Sequence, residues 1–243
     1  MSPQANASSA RGRLSVGVIG AGPVGTVLGK ALAAAGHVII GIASTDPKNI
    51  ERAEALLPEV DVVTVPEIIE KADLVLFAIP AEEISKTVSG LAEAGLFRAG
   101  QLIAHTAGEF GFEVLEPAVS KGVIPLAIHP AMTFTGTSID LSRIRESYFA
   151  VSAPNVALPI VQALVIEMGA EPIVISEADR KIYFEAISVA NNFSKLIVNQ
   201  SIGLLESVGI DNARSVLAPV IRSAVEEALA EGHVPIDPEE LLN

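Results

Sequence analysis

The chain has 243 residues, no cysteine, and 16 lysines and arginines against 29 aspartates and glutamates, for a formal net charge of −13. This balance opposes attraction to phosphate backbones, so nucleic acid and anionic membrane surfaces are not expected partners; the absence of thiols removes disulfides, thiolate nucleophiles and cysteine metal sites and fits a cytoplasmic protein. Half of the residues are hydrophobic and the mean hydropathy is +0.48, yet no apolar run approaches the roughly 20 residues of a membrane span, so the apolar surplus reads as subunit interface.

Residues 1–13 carry two arginines and no apolar stretch, and are expected to form a disordered tail and not a secretion signal. From Leu14, short β-branched runs alternate with amphipathic segments. Strands are predicted over 14–19, 37–44, weakly over 60–63, then 72–80, 101–108 and a run ending at His129, with a helix over 23–36 after the first. Near-continuous apolar strands separated by helices indicate a parallel sheet covered on both faces. Pro23 and Pro66 suit first helical turns, and Gly36, Gly95 and Gly169 suit helix ends. Strands over 148–154 and 172–176, flanking a helix over 155–170, extend the sheet.

After residue 176 the composition changes to helix. Ser176 with Asp179 reads as a capping box, followed by one helix over about 177–207 and a second over about 211–232, kinked at Pro219. The expected fold is therefore α/β, a Rossmann doubly wound, mostly parallel sheet over 14–176, with a smaller C-terminal all-α domain over 177–243. Two helices cannot bury their apolar stripes alone, so they must pack on the sheet domain, on a second subunit or on both, and this part is expected to be a dimerisation and substrate domain of a homodimer.

The run Gly20-Ala21-Gly22-Pro23-Val24-Gly25 follows a predicted strand and opens a predicted helix, the context a dinucleotide fingerprint requires. Gly20 makes the tight turn, Gly22 admits the diphosphate and Gly25 lets helix pack on strand. At the end of the second strand Ser44 and Thr45, with Lys48 and Arg52 beyond, favour NADP(H) over NAD, although Asp46 among them has the wrong sign for a 2′-phosphate.

The fingerprint, the predicted fourth strand ending in Ile79-Pro80, the turn His105-Thr106-Ala107-Gly108, the segment His129-Pro130-Ala131-Met132-Thr133-Phe134 and the pair Asn191-Asn192 together resemble the Rossmann-like DUF2520 family. That family is similar to pyrroline-5-carboxylate reductase and, more remotely, to 6-phosphogluconate and β-hydroxyacid dehydrogenases. The resemblance implies a Rossmann domain, a helical dimerising domain and NADP, in an oxidoreductase. The chain departs from the family pattern in having Ala107 where serine is common, and in ending at Leu242-Asn243 where a glycine-proline and Arg-Gly-Asp segment often continues; a more open or partner-completed pocket is the expectation.

Strand carboxyl ends bind ligands in such sheets. Ile79, Pro80 and Thr106 are accordingly placed beside the cofactor, and His105 and His129 in a shared polar pocket where either could supply a proton. In the long late helix Lys181, Glu185, Ser188, Asn192, Lys195 and Asn199 form one polar stripe, while Ile182, Ala186, Val189, Phe193 and Leu196 form an apolar one. Adjacent asparagines cost helix propensity, so Asn192 is expected to orient substrate and Lys195 to hold a carboxylate or donate a proton. No metal-ligand spacing exists among His37, His105, His129 and His233, and no nucleophile elbow or P-loop. The expected activity is hydride transfer between NADP(H) and a small oxo or imino acid, the alternatives being a deazaflavin-dependent NADP reductase or a non-catalytic NADP(H)-binding sensor.

Overall fold

The computed structural model describes residues 13–232; the expected tail, apart from Arg13, and His233 lie outside the described residues. Seven strands run in chain order as β1 (Ser15–Ile19), β2 (Val38–Ala43), β3 (Leu74–Phe77), β4 (Leu102–His105), β5 (Ile124–Pro130), β6 (Tyr148–Ser152) and β7 (Glu171–Val174). The helices are α1 (Pro23–Ala34), α2 (Pro47–Leu56), α3 (Val65–Lys71), α4 (Ala81–Glu93), α5 (Glu116–Val119), α6 (Ile139–Ile144), α7 (Leu158–Glu167), α8 (Arg180–Ser207) and α9 (Ala213–Glu231), with a 3₁₀ turn over Phe112–Leu115.

The strands form one sheet in the order β2-β1-β3-β4-β5-β6-β7, parallel throughout except where β5 meets β6 antiparallel. The predicted strand over 60–63 is not one: Val62 makes a single bridge to Ile42, and the strands expected as fourth, fifth and sixth are β3, β4 and β5. The physical cause is the next element. Thr64 leaves to cap α3, where it shares a reciprocal capping box with Glu67, and Pro66 in the first turn has no N–H to offer a ladder.

The strands are buried on both faces, as their composition requires. Leu74 and Leu76 of β3 face one apolar layer with Val16, Val18, Leu28 and Leu164, while Val75 and Phe77 face the other with Ile68, Ile84, Val88 and Ile103. Truncating any of these to alanine would cost about 2–5 kcal/mol. The chain crosses to opposite sides of β1 when it makes β2 and β3, so a crevice opens beyond the carboxyl end of β1.

The described residues form two compact units divided within α8, after Glu185. The first two turns of α8 belong to the sheet unit because Arg180 is buried there and Tyr183 and Phe184 pack on His129. Ser176 caps as expected, its Oγ accepting from the Asp179 N–H at 3.2 Å and donating to the Asp179 carboxylate at 2.6 Å. The second unit holds the rest of α8 and α9, which contains Pro219; Val198, Ile202, Leu217 and Ile221 line a groove of ≈ 470 Å³ between them.

Candidate functional site

At the end of β1 the backbone turns through Gly20, whose φ of +105° only glycine adopts without strain, and a Cβ there would sit 2.3 Å from the Ala78 carbonyl. A Cβ on Gly25 would meet the Gly20 carbonyl at 2.0 Å, so α1 packs on the strand as closely as the fingerprint demands. Gly22 is different. It is the N-cap of α1 with an extended backbone, and a Cβ there would meet nothing within 4 Å. The protein itself does not need a glycine at 22; a ligand approaching the backbone does. No side chain caps α1, so its first N–H groups stay available to an anion, and Thr26 Oγ1 ties the loop by donating to the Ala21 carbonyl at 2.9 Å.

This loop opens into a cleft of ≈ 730 Å³ lined by Gly20, Ala21 and Gly22 from β1, Ser44, Thr45, Asp46 and Asn49 from β2 and α2, Thr64 to Pro66 of α3, and Ala78 to Pro80 after β3. These residues fit a dinucleotide. Of the sequence-expected cofactor residues, Gly20, Ala21, Gly22, Ser44, Thr45, Ile79 and Pro80 line the cleft, Pro23, Val24 and Gly25 form the first turn of α1, and Lys48 and Thr106 stand outside the lining. Asp46 N-caps α2, accepting from the Lys48 N–H at 2.9 Å, and Arg52 donates to Asn49 Oδ1 at 2.5 Å. The segment after β5 reaches the same place: Gly136 abuts Pro23 and Arg52. Buried Asp140 holds it there by accepting from the N–H groups of Thr135 and Gly136, both at 2.8 Å.

Two strands along, a polar cluster replaces the apolar layer that contains Ile103. His105 pairs with Ala127 across β4 and β5, so His129, two residues on, points from the same face; Ser152, opposite Ala127 on β6, shares it. His105 is wholly buried. The Gly111 carbonyl can only accept, so the bond of 2.8 Å fixes the proton on Nε2, and Nδ1 accepts from the Ala107 N–H at 3.2 Å. Burial, above all, holds its pKa down at about 4, with the Arg180 and His129 charges adding to the effect.

His129 is half-buried, and its Nδ1 lies 2.8 Å from the Tyr183 hydroxyl with the rings edge-on at 5.6 Å. Burial and then the Arg180 charge lower its pKa to about 4, while burial raises the Tyr183 hydroxyl to about 12. A Cβ on Gly108 would sit 2.7 Å from His129 Nε2, so the two histidine motifs interlock through that glycine.

Sequence reasoning missed Arg180, Glu177 and Ser152. Glu177 Oε1 accepts from Ser152 Oγ at 2.8 Å and from the Phe112 N–H at 3.1 Å, pinning the 3₁₀ turn over β6. Arg180 is 1% exposed, and none of its three guanidinium nitrogens has a hydrogen-bond partner. Its signal in the sequence was a charge three and four residues ahead of Tyr183 and Phe184, on the helix face that packs inward. Asn192 and Lys195 belong to the second unit and are exposed there, as are Phe193 and Leu196 of the apolar stripe; Ile182, in the first unit, is exposed too. Among the described residues no acid, histidine or cysteine group could hold a metal, and no helix is long and apolar enough to cross a membrane.

Residues 1–130 match the model of the Rossmann-like domain, and residues 147–236 match the domain of unknown function DUF2520. No curated protein matches the chain in sequence. Among solved structures the fold is similar to that of a Bacteroides fragilis protein described as an NADP oxidoreductase, with 20% identity over 88% of this chain and 80% of that one and a TM-score of 0.73. It is also similar to pyrroline carboxylate reductase from Plasmodium falciparum with NADP bound (14% identity, 91% and 80% covered, TM-score 0.65) and to 1-pyrroline-5-carboxylate reductase from Streptococcus pyogenes (16%, 95% and 84%, TM-score 0.66).

Proposed function

From the premise that this chain belongs to the Rossmann-like domain family, we propose that it is an NADP-dependent oxidoreductase acting on a small oxo or imino acid. The observation that carries this reading is Gly22: a glycine at a helix N-terminus that the fold leaves free of neighbours, on the wall of a dinucleotide-sized cleft. The similar folds described as NADP oxidoreductase and pyrroline carboxylate reductase support it.

Gly20 to Gly25 would hold the diphosphate, Ser44 and Thr45 the ribose end, and Ile79 and Pro80 the approach toward β4. When bound, the nicotinamide supplies or accepts the hydride. His129 is the proton-handling residue of this reading: of the two histidines in the cluster it is the one whose ring is not held at both nitrogens by backbone, and Tyr183 is hydrogen-bonded to it. His105, with both ring nitrogens engaged by backbone, serves to hold the turn after β4. Asn192 and Lys195 are assigned to the substrate side through α8, and the exposed Phe193, Leu196, Leu204 and Leu229 support a homodimer built on the helical unit.

Calorimetric titration with NADPH and NADH, followed by NADPH oxidation with glyoxylate, pyruvate and cyclic imino acids, tests the proposal. Saturable NADPH binding with turnover of one of these compounds is expected; no uptake of either coenzyme at millimolar concentration defeats it.

A further inference from the structure

Arg180 has no explanation within the fold. A guanidinium that is 1% exposed and bonded to nothing is costly, because a buried charge without a partner loses its hydration with nothing in return. The nearby groups do not supply a partner. Glu177 influences Arg180 electrostatically, but its Oε1 is committed to Ser152 and Phe112, and it makes no ion pair with the guanidinium among the described residues. His105 and His129 are neutral rings whose protonation the Arg180 charge opposes, and neither accepts a hydrogen bond from the guanidinium; the Tyr183 ring lies 6.0 Å from Cζ without offering its oxygen, which is bonded to His129. What is missing is an anion.

We infer that Arg180 is the substrate-binding residue for a carboxylate, and that the substrate is a 2-oxo or 2-imino acid whose reacting carbon adjoins that carboxylate. This assignment rests on the oxidoreductase reading. Tyr183 makes the connection: one face of its ring lies toward the guanidinium, and its hydroxyl is bonded to Nδ1 of His129. A carboxylate on the planar Arg180 fork therefore brings the neighbouring carbonyl or imine carbon to the side where His129 stands.

The cofactor's own phosphates are not the missing anion. In the sheet order β2-β1-β3-β4-β5, the ribose end at Ser44 and the diphosphate at Gly22 lie at β2 and β1, whereas His105 and His129 end β4 and β5. At about 4.8 Å per strand, the three steps from β1 to β5 span roughly 14 Å and the four from β2 to β5 roughly 19 Å.

The arrangement also links binding to protonation. Burial, and after it the unpaired Arg180 charge, keeps His129 neutral well below neutral pH; a carboxylate on the guanidinium removes the second of these effects, so the ring gains basicity when the substrate is present. In a chain of net charge −13, a buried arginine also gives an acid a local positive site that the distant charges, screened beyond about 8 Å, cannot cancel.

The probes are oxamate, its uncharged analogue oxamide, and inorganic phosphate, each titrated into the full chain with and without NADPH, with calorimetry and NMR of the histidine and arginine side chains as readouts. Oxamate is expected to bind, oxamide and phosphate to bind at least tenfold more weakly, and the His129 ring pKa to rise on saturation. Arg180→Met should weaken oxamate at least tenfold, and Arg180→Lys should retain part of the affinity. Equal oxamate affinity in wild type and Arg180→Met, or phosphate binding in preference to oxamate, overturns the assignment. If Arg180→Met does not fold, the wild-type spectra decide, because oxamate that leaves the Arg180 Nε and His129 signals unmoved overturns it too. Oxamate binding without NADPH binding defeats the oxidoreductase reading alone; NADPH binding without oxamate binding defeats the carboxylate site alone.

Discussion

The Tyr183 hydroxyl and Nδ1 of His129 lie 2.8 Å apart, joining the first turn of α8 to the end of β5. Burial keeps Tyr183 protonated to about pH 12, so its hydroxyl has a proton to give to Nδ1, which puts the His129 proton on Nε2, beside Gly108; in the other tautomer Nδ1–H donates to the hydroxyl oxygen. Tyr183→Phe keeps the ring packing and removes the donor. Expected is a loss of about 1 to 2 kcal/mol in urea unfolding, together with a mixture of His129 tautomers in ring ¹⁵N spectra. An unchanged Nε2–H tautomer would show that the hydroxyl does not orient the ring.

Gly22 separates a ligand effect from a folding effect. Its φ of −64° and ψ of 178° are open to any residue, and a Cβ there meets nothing within 4 Å. Gly22→Val should therefore unfold at a denaturant midpoint close to wild type while losing NADPH affinity at least a hundredfold, about 2.7 kcal/mol. Gly25→Val, by contrast, should fail to fold, since its Cβ would sit 2.0 Å from the Gly20 carbonyl. Undiminished NADPH binding by Gly22→Val would remove the glycine loop from the cofactor site.

What was legible in the sequence was local. The fingerprint lies on consecutive residues whose strand, turn and helix each announce themselves, and the Ser176 cap is set by two side chains three apart. The strand over 60–63 misled because its alternation is genuine, while the decision to stop it belongs to Thr64 and Pro66 just beyond. Arg180 was invisible for a different reason. It is buried near His105 and His129, whose titration its charge affects and which the sheet order brings in from β4 and β5, and no spacing along the chain encodes that meeting. The stripes of α8 were seen correctly as stripes, but both are exposed in the single chain, so periodicity alone could not say what covers either.

Asp46 offers a test of the coenzyme. It lines the cleft beside Ser44 and Thr45, where a carboxylate opposes a 2′-phosphate, but it also caps α2 through the Lys48 N–H. Asparagine caps a helix about as well as aspartate, so Asp46→Asn removes the charge and keeps the helix. NADPH should then bind several-fold more tightly at low salt, with the gain fading as salt rises, and NADH affinity should change little. A selective loss of NADH affinity instead would mean that Asp46 holds ribose hydroxyls and that NAD is the coenzyme.

The two cluster histidines make stability fall before the carboxylates do. Each has a pKa near 4 in the folded protein against an ordinary value of 6.5, so the unfolded chain binds the extra protons between these limits. Their contribution is complete above pH 6.5 and is lost as pH falls toward 4, by up to about 3 kcal/mol per ring. Asp73, held below its ordinary 3.8 chiefly by hydrogen bonds from Ser15, adds losses only at lower pH. Urea melts should therefore show stability rising steeply from pH 4.5 to about 6.5 and levelling above it. His105→Asn should be less stable at every pH, because Gly111 and Ala107 lose their ring partner, yet its slope in that window should be about half that of wild type. A slope that survives the substitution intact would place the titrating groups elsewhere than in this cluster.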